Sequence, residues 1–118
     1  MIEVNDYVRI NIDNRNCIGI GRVSRIVNET IYVNMNNKYN LPISFQIDKI
    51  VNHSKQLIDL IEVGDYVNGK YVQKIKSDRN GKYILALIGI IEEQDIKTIL
   101  TKEQYLANCY KVGGEDGN

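Results

Sequence analysis

Arginine and tyrosine residues in the first half of the chain form its best candidate binding face. Arg22 and Arg25 are close in sequence, and Tyr32, Lys38 and Tyr39 follow them. Guanidinium groups hold phosphates, and aromatic rings stack on bases at about 1–3 kcal/mol per base. The set therefore predicts a site for a nucleotide-like ligand, with Arg22, Arg25 and Lys38 on phosphate and Tyr32 or Tyr39 on a base. The alternative is that these charges only keep exposed strands soluble.

A second group of cations follows the Asn68-Gly69 dipeptide. Lys70, Lys74 and Lys76 lie in a run of strand-like sequence. The two-residue period of a strand puts Lys74 and Lys76 on one face and Ile75 on the other. Here too, charges that keep an exposed strand soluble are the alternative to a binding role.

Residues that usually catalyse or hold metals are scarce. His53, the one histidine, adjoins Ser54 in a polar stretch, and Cys17 and Cys109 form no Cys-x-x-Cys pair. The acidic run 92–95 is typical of a solvated turn, although paired carboxylates can also bind metal or transfer protons. We therefore expect no catalytic residues, no metal site, no cofactor and reduced thiols.

Two glycines, in Gly19-Ile20-Gly21, raise the possibility of a phosphate-binding loop. No third glycine follows and no helix begins there, as such a loop requires. Glycine inside a strand more often marks a bulge or a tight bend in a barrel. We therefore expect a bend at this point.

Composition and charge limit the class of partner. The chain has 118 residues, of which 43% are hydrophobic and 25% charged, and its formal net charge is zero. Zero net charge disfavours nucleic-acid and membrane-surface binding, which need clustered positive charge. Residues 1–58 carry seven Lys/Arg against five Asp/Glu, net +2, and residues 59–118 carry eight against ten, net −2. This asymmetry could orient the two halves.

The sequence has no sign of a membrane protein or a secreted one. No apolar run approaches the roughly 20 residues of a membrane span. The start, Met1-Ile2-Glu3-Val4-Asn5-Asp6, lacks the basic and then apolar pattern of a signal peptide. We expect a cytoplasmic protein.

An internal echo suggests a duplicated unit. Glu3-Val4-Asn5-Asp6-Tyr7-Val8 returns as Glu62-Val63-Gly64-Asp65-Tyr66-Val67, with five of six positions identical. The apolar spacing of residues 47–53 is repeated more weakly at 96–102. We predict a first half at 1–53, an apolar connector at 54–61 that packs, a second half at 62–112 and a disordered tail at 113–118.

Strand and turn patterns fill both halves. Asn68-Gly69 and Asn80-Gly81 suit type I′ hairpin turns, which need positive φ. Thr101 and Gln104 form a capping box that predicts a short helix, with Tyr105 and Leu106 facing inward. The predicted strands lie near 6–12, 17–27, 30–35, 46–51, 65–68, 70–76, 82–88, 95–100 and 109–112.

The Val-Gly-Asp-Tyr-Val opening, short strands and hairpins resemble small SH3-like barrels, in which a Gly-Asp loop leads into the first strand. This resemblance implies a mainly all-β fold of two tandem small SH3-like barrels with a short capped helix near the C-terminus. Exposed barrel edges also make a symmetric homodimer plausible.

A second resemblance covers about the second half of the chain. The stretches Asp59–Gly69 and Ile96–Tyr105 are similar to a family of small phage and prophage proteins from AT-rich Gram-positive bacteria. It implies an accessory or host-interaction role in the host cytosol. We predict a non-catalytic binding protein that inhibits a host antiviral defence by binding a protein or by sequestering a nucleotide signal. The alternative is a sequence-nonspecific module for single-stranded nucleic acid.

Overall fold

The computed structural model describes residues 1–12, 17–35 and 41–108, with side chains described to residue 106. These residues form mostly strands, with one short helix at their end. The elements are β1 (Tyr7–Asn11), β2 (Ile18–Val27), β3 (Thr30–Asn34), β4 (Pro42–Gln46), β5 (Ile50–Ser54), β6 (Tyr66–Val67), β7 (Lys70–Asp78), β8 (Gly81–Ala86), β9 (Ile90–Glu92), β10 (Ile99–Leu100) and α1 (Lys102–Asn108). Single 3-10 turns lie at Ile47–Lys49, Leu57–Leu60 and Glu93–Asp95.

The strands form two antiparallel sheets with one topology. The strand orders are β4-β3-β2-β1-β5 and β10-β6-β7-β8-β9. In both sheets the fifth strand returns to pair with the first, and a 3-10 turn lies between the fourth and fifth strands. The predicted all-β fold with two small barrel-like halves and a short C-terminal helix is confirmed. The predicted domain boundaries stay predictions.

The sequence echo corresponds to the same turn built twice. Asp6 Oδ2 accepts the amide hydrogen of Glu3 at 3.0 Å, and Asp65 Oδ2 accepts that of Glu62 at 2.8 Å. The residue before each aspartate has a positive φ, 76° in the first half and 99° in the second. Asn and Gly, which occupy these positions, are the residues that tolerate this conformation best.

The weaker echo is real, but its predicted register is wrong. Tyr7 pairs with Ser54 in the first sheet, and its counterpart Tyr66 pairs with Leu100 in the second. Ser54 and Leu100 are therefore equivalent, an offset of 46 positions (100 − 54). The sequence echo matched position 47 to 96, an offset of 49 (96 − 47). Apolar spacing alone cannot distinguish these registers, because isoleucines recur at three-residue intervals on both sides.

The core consists of two hydrophobic clusters, one in each half. The connector residues Ile58 and Ile61 are buried in the second cluster, so the predicted packing of the connector is confirmed. The first cluster contains Val8, Ile10, Val23, Ile31 and Val33, and the second contains Ile58, Ile61, Val67, Val72, Ile84, Ala86 and Ile91.

The edge strands β4 and β9 were not predicted from the sequence, for different reasons. β4 alternates Ile43 and Phe45 with polar residues, but it begins with a proline, which argues against a strand, and it is largely exposed. β9 has three residues, too few for a periodic pattern. The predicted strand at 46–51 covers a 3-10 turn and the start of β5, and the one at 95–100 reduces to β10. The predicted strand at 109–112 lies outside the described residues.

One of the two predicted type I′ turns is confirmed. Asn68 and Gly69 both have positive φ, 54° and 77°. The second prediction is wrong, because Gly81 has a positive φ but Asn80 does not. The loop there is Arg79-Asn80, and the side chain of Asp78 accepts the Asn80 amide at 2.8 Å. This aspartate stabilises a different turn one residue earlier.

The capping box is confirmed, but the orientation predicted for the helix is wrong. Gln104 N–H donates to Thr101 Oγ1 at 3.1 Å, and Gln104 Oε1 accepts the Thr101 amide at 3.3 Å. Tyr105 and Leu106 are 41% and 60% exposed. The helix contacts the body through its first turn, and Tyr105 stacks on Tyr66 with ring centroids 4.6 Å apart.

Arg9 joins the two halves from a buried position in β1. Its side chain is 1% exposed, and its guanidinium donates to both carboxylate oxygens of Asp65, at 2.7 and 3.0 Å. It also donates to the Leu60 carbonyl and to Glu103, both at 3.0 Å, and lies 3.4 Å from a Glu62 oxygen. Burial lowers the pKa of Arg9, but the hydrogen bonds and charges of these carboxylates outweigh it and raise the pKa. The net-positive half thus inserts a cation among three carboxylates of the net-negative half.

Candidate binding surfaces

The structure separates the two arginines predicted to act together. The Arg22 guanidinium carbon lies 5.1 Å from the centroid of the Tyr7 ring, and its Nε donates to the Asn5 carbonyl at 3.2 Å. Arg25 stacks instead on Tyr32, at 4.4 Å. A bulge between positions 23 and 25 of β2 lies between the two arginines. Lys38 and Tyr39, the other predicted site residues, lie outside the described residues.

The Arg25–Tyr32 pair lies on an exposed part of the first sheet. The two residues are cross-strand neighbours on β2 and β3. The guanidinium already covers one face of the ring, which is a cation–π contact worth about 0.5–1 kcal/mol at an exposed site. A base could stack on the other face of Tyr32 or displace Arg25.

Arg22, by contrast, lines a cleft of about 460 Å³ between the two halves. We call it the inter-half cleft. β1, β2 and the end of β3 form one wall, and the segment before β10 forms the other. Its lining residues are Tyr7, Ile20, Gly21, Arg22, Asn34, Met35, Leu57, Ile96, Lys97, Thr98 and Ile99.

The charges that line the inter-half cleft are all positive. Arg22 and Lys97 are its charged lining residues, and no lining side chain is a carboxylate. Among the described residues, neither cation forms a salt bridge. A second cavity of about 430 Å³ is mainly acidic, with Asp78, Glu92 and Glu93 beside Lys82 in its lining. The inter-half cleft is therefore suited to an anion.

Close packing of β2 against β3 explains the glycine at the cleft. A Cβ atom at Gly21 would lie 2.5 Å from Val33 Cγ1 and 2.8 Å from the Asn34 carbonyl oxygen. Both distances are shorter than real Cβ contacts, so a side chain does not fit without movement of the strand. Gly19 and Gly21 lie inside β2 and pair in regular register with Ile10 and Val8, so they form no phosphate loop, and the expected bend stays a prediction.

The second half carries an aromatic surface that we call the tyrosine platform. Leu100, Tyr66 and Tyr71 are direct cross-strand partners on β10, β6 and β7, so their side chains share one face. Tyr66 meets Tyr71 edge to face at 5.6 Å and stacks on Tyr105. A groove of about 410 Å³ adjoins these rings. It is lined by Tyr66, Gly69, Lys70, Tyr71, Leu87 and Ile88.

The inter-half cleft and the groove occupy the same place in the two repeats. In the first half Arg22 pairs with Asn34 across β2 and β3. In the second half the Leu87 amide donates to the Tyr71 carbonyl at 3.0 Å, at the matching position beside the bulge of β7. The equivalent residues are Tyr7 and Tyr66, Arg22 and Tyr71, Asn34 and Leu87, and Met35 and Ile88. One duplicated site has thus become cationic in the first half and apolar in the second.

The apolar version of the site is strongly exposed. Leu87 and Ile88 are 64% and 74% exposed, and Ile90 follows at 63%. Exposed apolar patches of this kind commonly mark interaction surfaces. The sequence predicted a strand to residue 88, so Leu87 and Ile88 were interpreted as strand residues. The glycine in the Leu-Ile-Gly-Ile run at 87–90 was the available signal that the strand ends before residue 88, because Gly89 has a φ of 98° and makes a turn there.

The lysines of β7 lie as predicted. Lys74 and Lys76 are exposed, and Ile75 packs against the second core cluster. Lys70 lines the groove beside the tyrosine platform. It is therefore the member of this set that a ligand on the platform would meet.

Other candidate chemistry is sparse in the part of the chain that the structure describes. His53 lies on β5, and its Nδ1 is 3.4 Å from Asp6 Oδ2. Cys17 is a free thiol. Cys109 lies outside the described residues. Within residues 1–12, 17–35 and 41–108, no group of three His, Cys, Asp or Glu could hold a metal ion. No helix in these ranges is long and apolar enough to cross a membrane.

Comparison with protein families, with curated proteins and with solved structures found no match to this chain. The two surfaces are therefore interpreted from their own residues and geometry.

Proposed function

We propose that this chain is a non-catalytic binding protein that docks a partner protein on the tyrosine platform. The observation that carries the proposal is the exposed apolar groove beside Tyr66, whose ring contacts those of Tyr71 and Tyr105. Tyrosine is enriched among the residues that contribute most binding energy at protein interfaces.

The groove also indicates the chemistry of the partner. In the groove, Tyr71, Leu87 and Ile88 offer apolar surface on which a side chain of the partner can be buried, and Lys70 also lines the groove. Lys70 forms no salt bridge with the described residues. A partner that presents an apolar side chain next to a carboxylate would satisfy both features.

The resemblance to phage proteins suggests which proteins to search. A phage accessory protein meets host proteins, so we propose a host antiviral defence protein as the partner. The expected consequence is a growth advantage for a phage that carries the gene on a defended host. Equal plating with and without the gene on every defended host would contradict the anti-defence role.

A pull-down from host lysate with mass spectrometry tests the docking surface. We expect the wild-type chain to retain a protein that Ile88→Asp loses, because a carboxylate in the apolar groove would have to be desolvated when the partner binds. Val51→Asp is the matched control, since Val51 is an exposed apolar residue on the first sheet. Capture that survives Ile88→Asp would contradict the proposal. Recovery of single-stranded nucleic acid that is lost as salt rises would instead favour the nucleic-acid alternative.

The same variants test self-association. Light scattering of the wild-type chain would show a dimer if the platform binds a second copy. Loss of that dimer in Ile88→Asp, with no captured protein in the pull-down, would assign the platform to a homodimer and overturn the partner proposal.

A further inference from the structure

We propose that the inter-half cleft binds a small molecule of the nucleotide class, a flat ring that carries phosphate. This site is separate from the tyrosine platform and does not depend on the function proposed for it. Its volume of about 460 Å³ falls within the roughly 300–1,000 Å³ typical of ligand sites.

The phosphate contacts come from both halves. Arg22 belongs to β2, whereas Lys97 belongs to the segment before β10, and both line the cleft, whose lining residues include no carboxylate. The stack of Arg22 on Tyr7 and its bond to the Asn5 carbonyl hold the guanidinium in place through its Nε. Its terminal nitrogens can then donate to a phosphate as a fork.

The Lys97 side of the cleft is positioned by one asparagine. Asn68 Oδ1 accepts the amides of Lys97 and Thr98 at 2.7 and 3.1 Å, and the Asn68 amide donates to the Thr98 carbonyl at 2.9 Å. Asn68 Nδ2 also donates to the Asp95 carbonyl at 2.8 Å. These bonds fix the backbone of the segment before a ligand arrives, which lowers the entropy cost of binding.

The rest of the lining suits a flat ring. Ile20, Met35 and Ile99 supply apolar surface, and the Thr98 side chain adds a hydroxyl that can donate or accept. Gly21 lets Met35 pack directly against β2, because a Cβ there would lie 2.7 Å from Met35 Sδ. Apolar walls with a few placed polar groups are the usual composition of a small-molecule site.

Calorimetric titration with 5′-AMP, 5′-GMP and 5′-UMP tests the proposal, with adenosine and inorganic phosphate as partial ligands. We expect at least one nucleotide to bind, and each partial ligand to bind about tenfold more weakly or worse, because each lacks one half of the contacts. Arg22→Gln and Lys97→Gln should each weaken nucleotide binding by about tenfold, the loss of a charge-assisted hydrogen bond.

Arg25→Gln is the matched control, because it removes the same charge from the same strand outside the cleft. Ile88→Asp is a second control and should leave nucleotide binding unchanged, just as Arg22→Gln should leave protein capture unchanged. Thermal unfolding of each variant confirms that it is folded. Absence of nucleotide binding at millimolar concentration, or equal weakening by Arg25→Gln and Arg22→Gln, would overturn the proposal. Tighter binding of a ten-residue oligothymidylate than of any mononucleotide would also overturn it.

Discussion

Removal of the buried guanidinium of Arg9 should weaken the junction between the halves. Arg9→Met keeps an unbranched stem but leaves the carboxylate of Asp65 buried without its cation, a change that costs about 3–5 kcal/mol. Asp65 keeps two amide donors, from Glu62 at 2.8 Å and Lys102 at 2.9 Å, which favours the lower end of this range. The Leu60 carbonyl also loses its donor, which adds about 1 kcal/mol. We expect the free energy of unfolding to fall by about 4 kcal/mol.

Urea unfolding followed by circular dichroism measures this loss. A domain of this size typically unfolds at about 5–15 kcal/mol, so the variant should stay measurable. Lys82→Met is the matched control, because Lys82 pairs with Asp59 at 2.7 Å on the surface. Exposed pairs of this kind contribute about 0–1 kcal/mol.

A loss of less than about 1 kcal/mol for Arg9→Met, equal to that of the control, would refute the reasoning. So would additive effects of Arg9→Met and Asp65→Asn, since residues in one network should be coupled. If Arg9→Met does not fold, Arg9→Lys gives the same test, because it keeps the charge but cannot form the paired hydrogen bonds to Asp65. Wild-type stability of Arg9→Lys would then contradict the role of the network.

Three further predictions concern stability. Burial raises the pKa of Asp6, but the Glu3 amide and Lys55 outweigh it and lower the pKa, so the folded state binds fewer protons than the unfolded state. The urea midpoint should therefore stay constant at pH values above the unfolded pKa of about 3.9 and decrease as the pH drops below that value. The decrease should be smaller in Asp6→Asn. Gly21→Ala should lower the melting temperature through a loss of about 1–3 kcal/mol from overpacking, and an unchanged value would contradict the close strand contact. Thr101→Val should lose about 1–2 kcal/mol in urea unfolding, because Thr101 Oγ1 caps α1 and donates to the Ile18 carbonyl at 2.6 Å; a neutral effect would rule out both roles.

Local chemistry made some features predictable from the sequence. The Asn68-Gly69 turn and the Thr101–Gln104 capping box depend on residues within a few positions of each other, so their motifs identify them. The repeated Glu-Val-x-Asp-Tyr-Val segment identified the duplication, because the same short-range hydrogen bonds form in both copies. The strand and turn patterns were likewise sufficient for the all-β class.

Tertiary structure alone decided which residues share a site. Arg9 is separated by 56 positions from Asp65 (65 − 9), and nothing in its neighbours distinguishes it from an exposed strand cation. Arg22 and Lys97 meet at one cleft only because β10 returns to β6 and the halves pack together. The equivalence of this cleft with the groove beside the tyrosine platform depends on strand register, and a shift of one residue would reverse the face of every side chain. Pairing and register are long-range properties, so the apolar spacing of one sequence did not determine them.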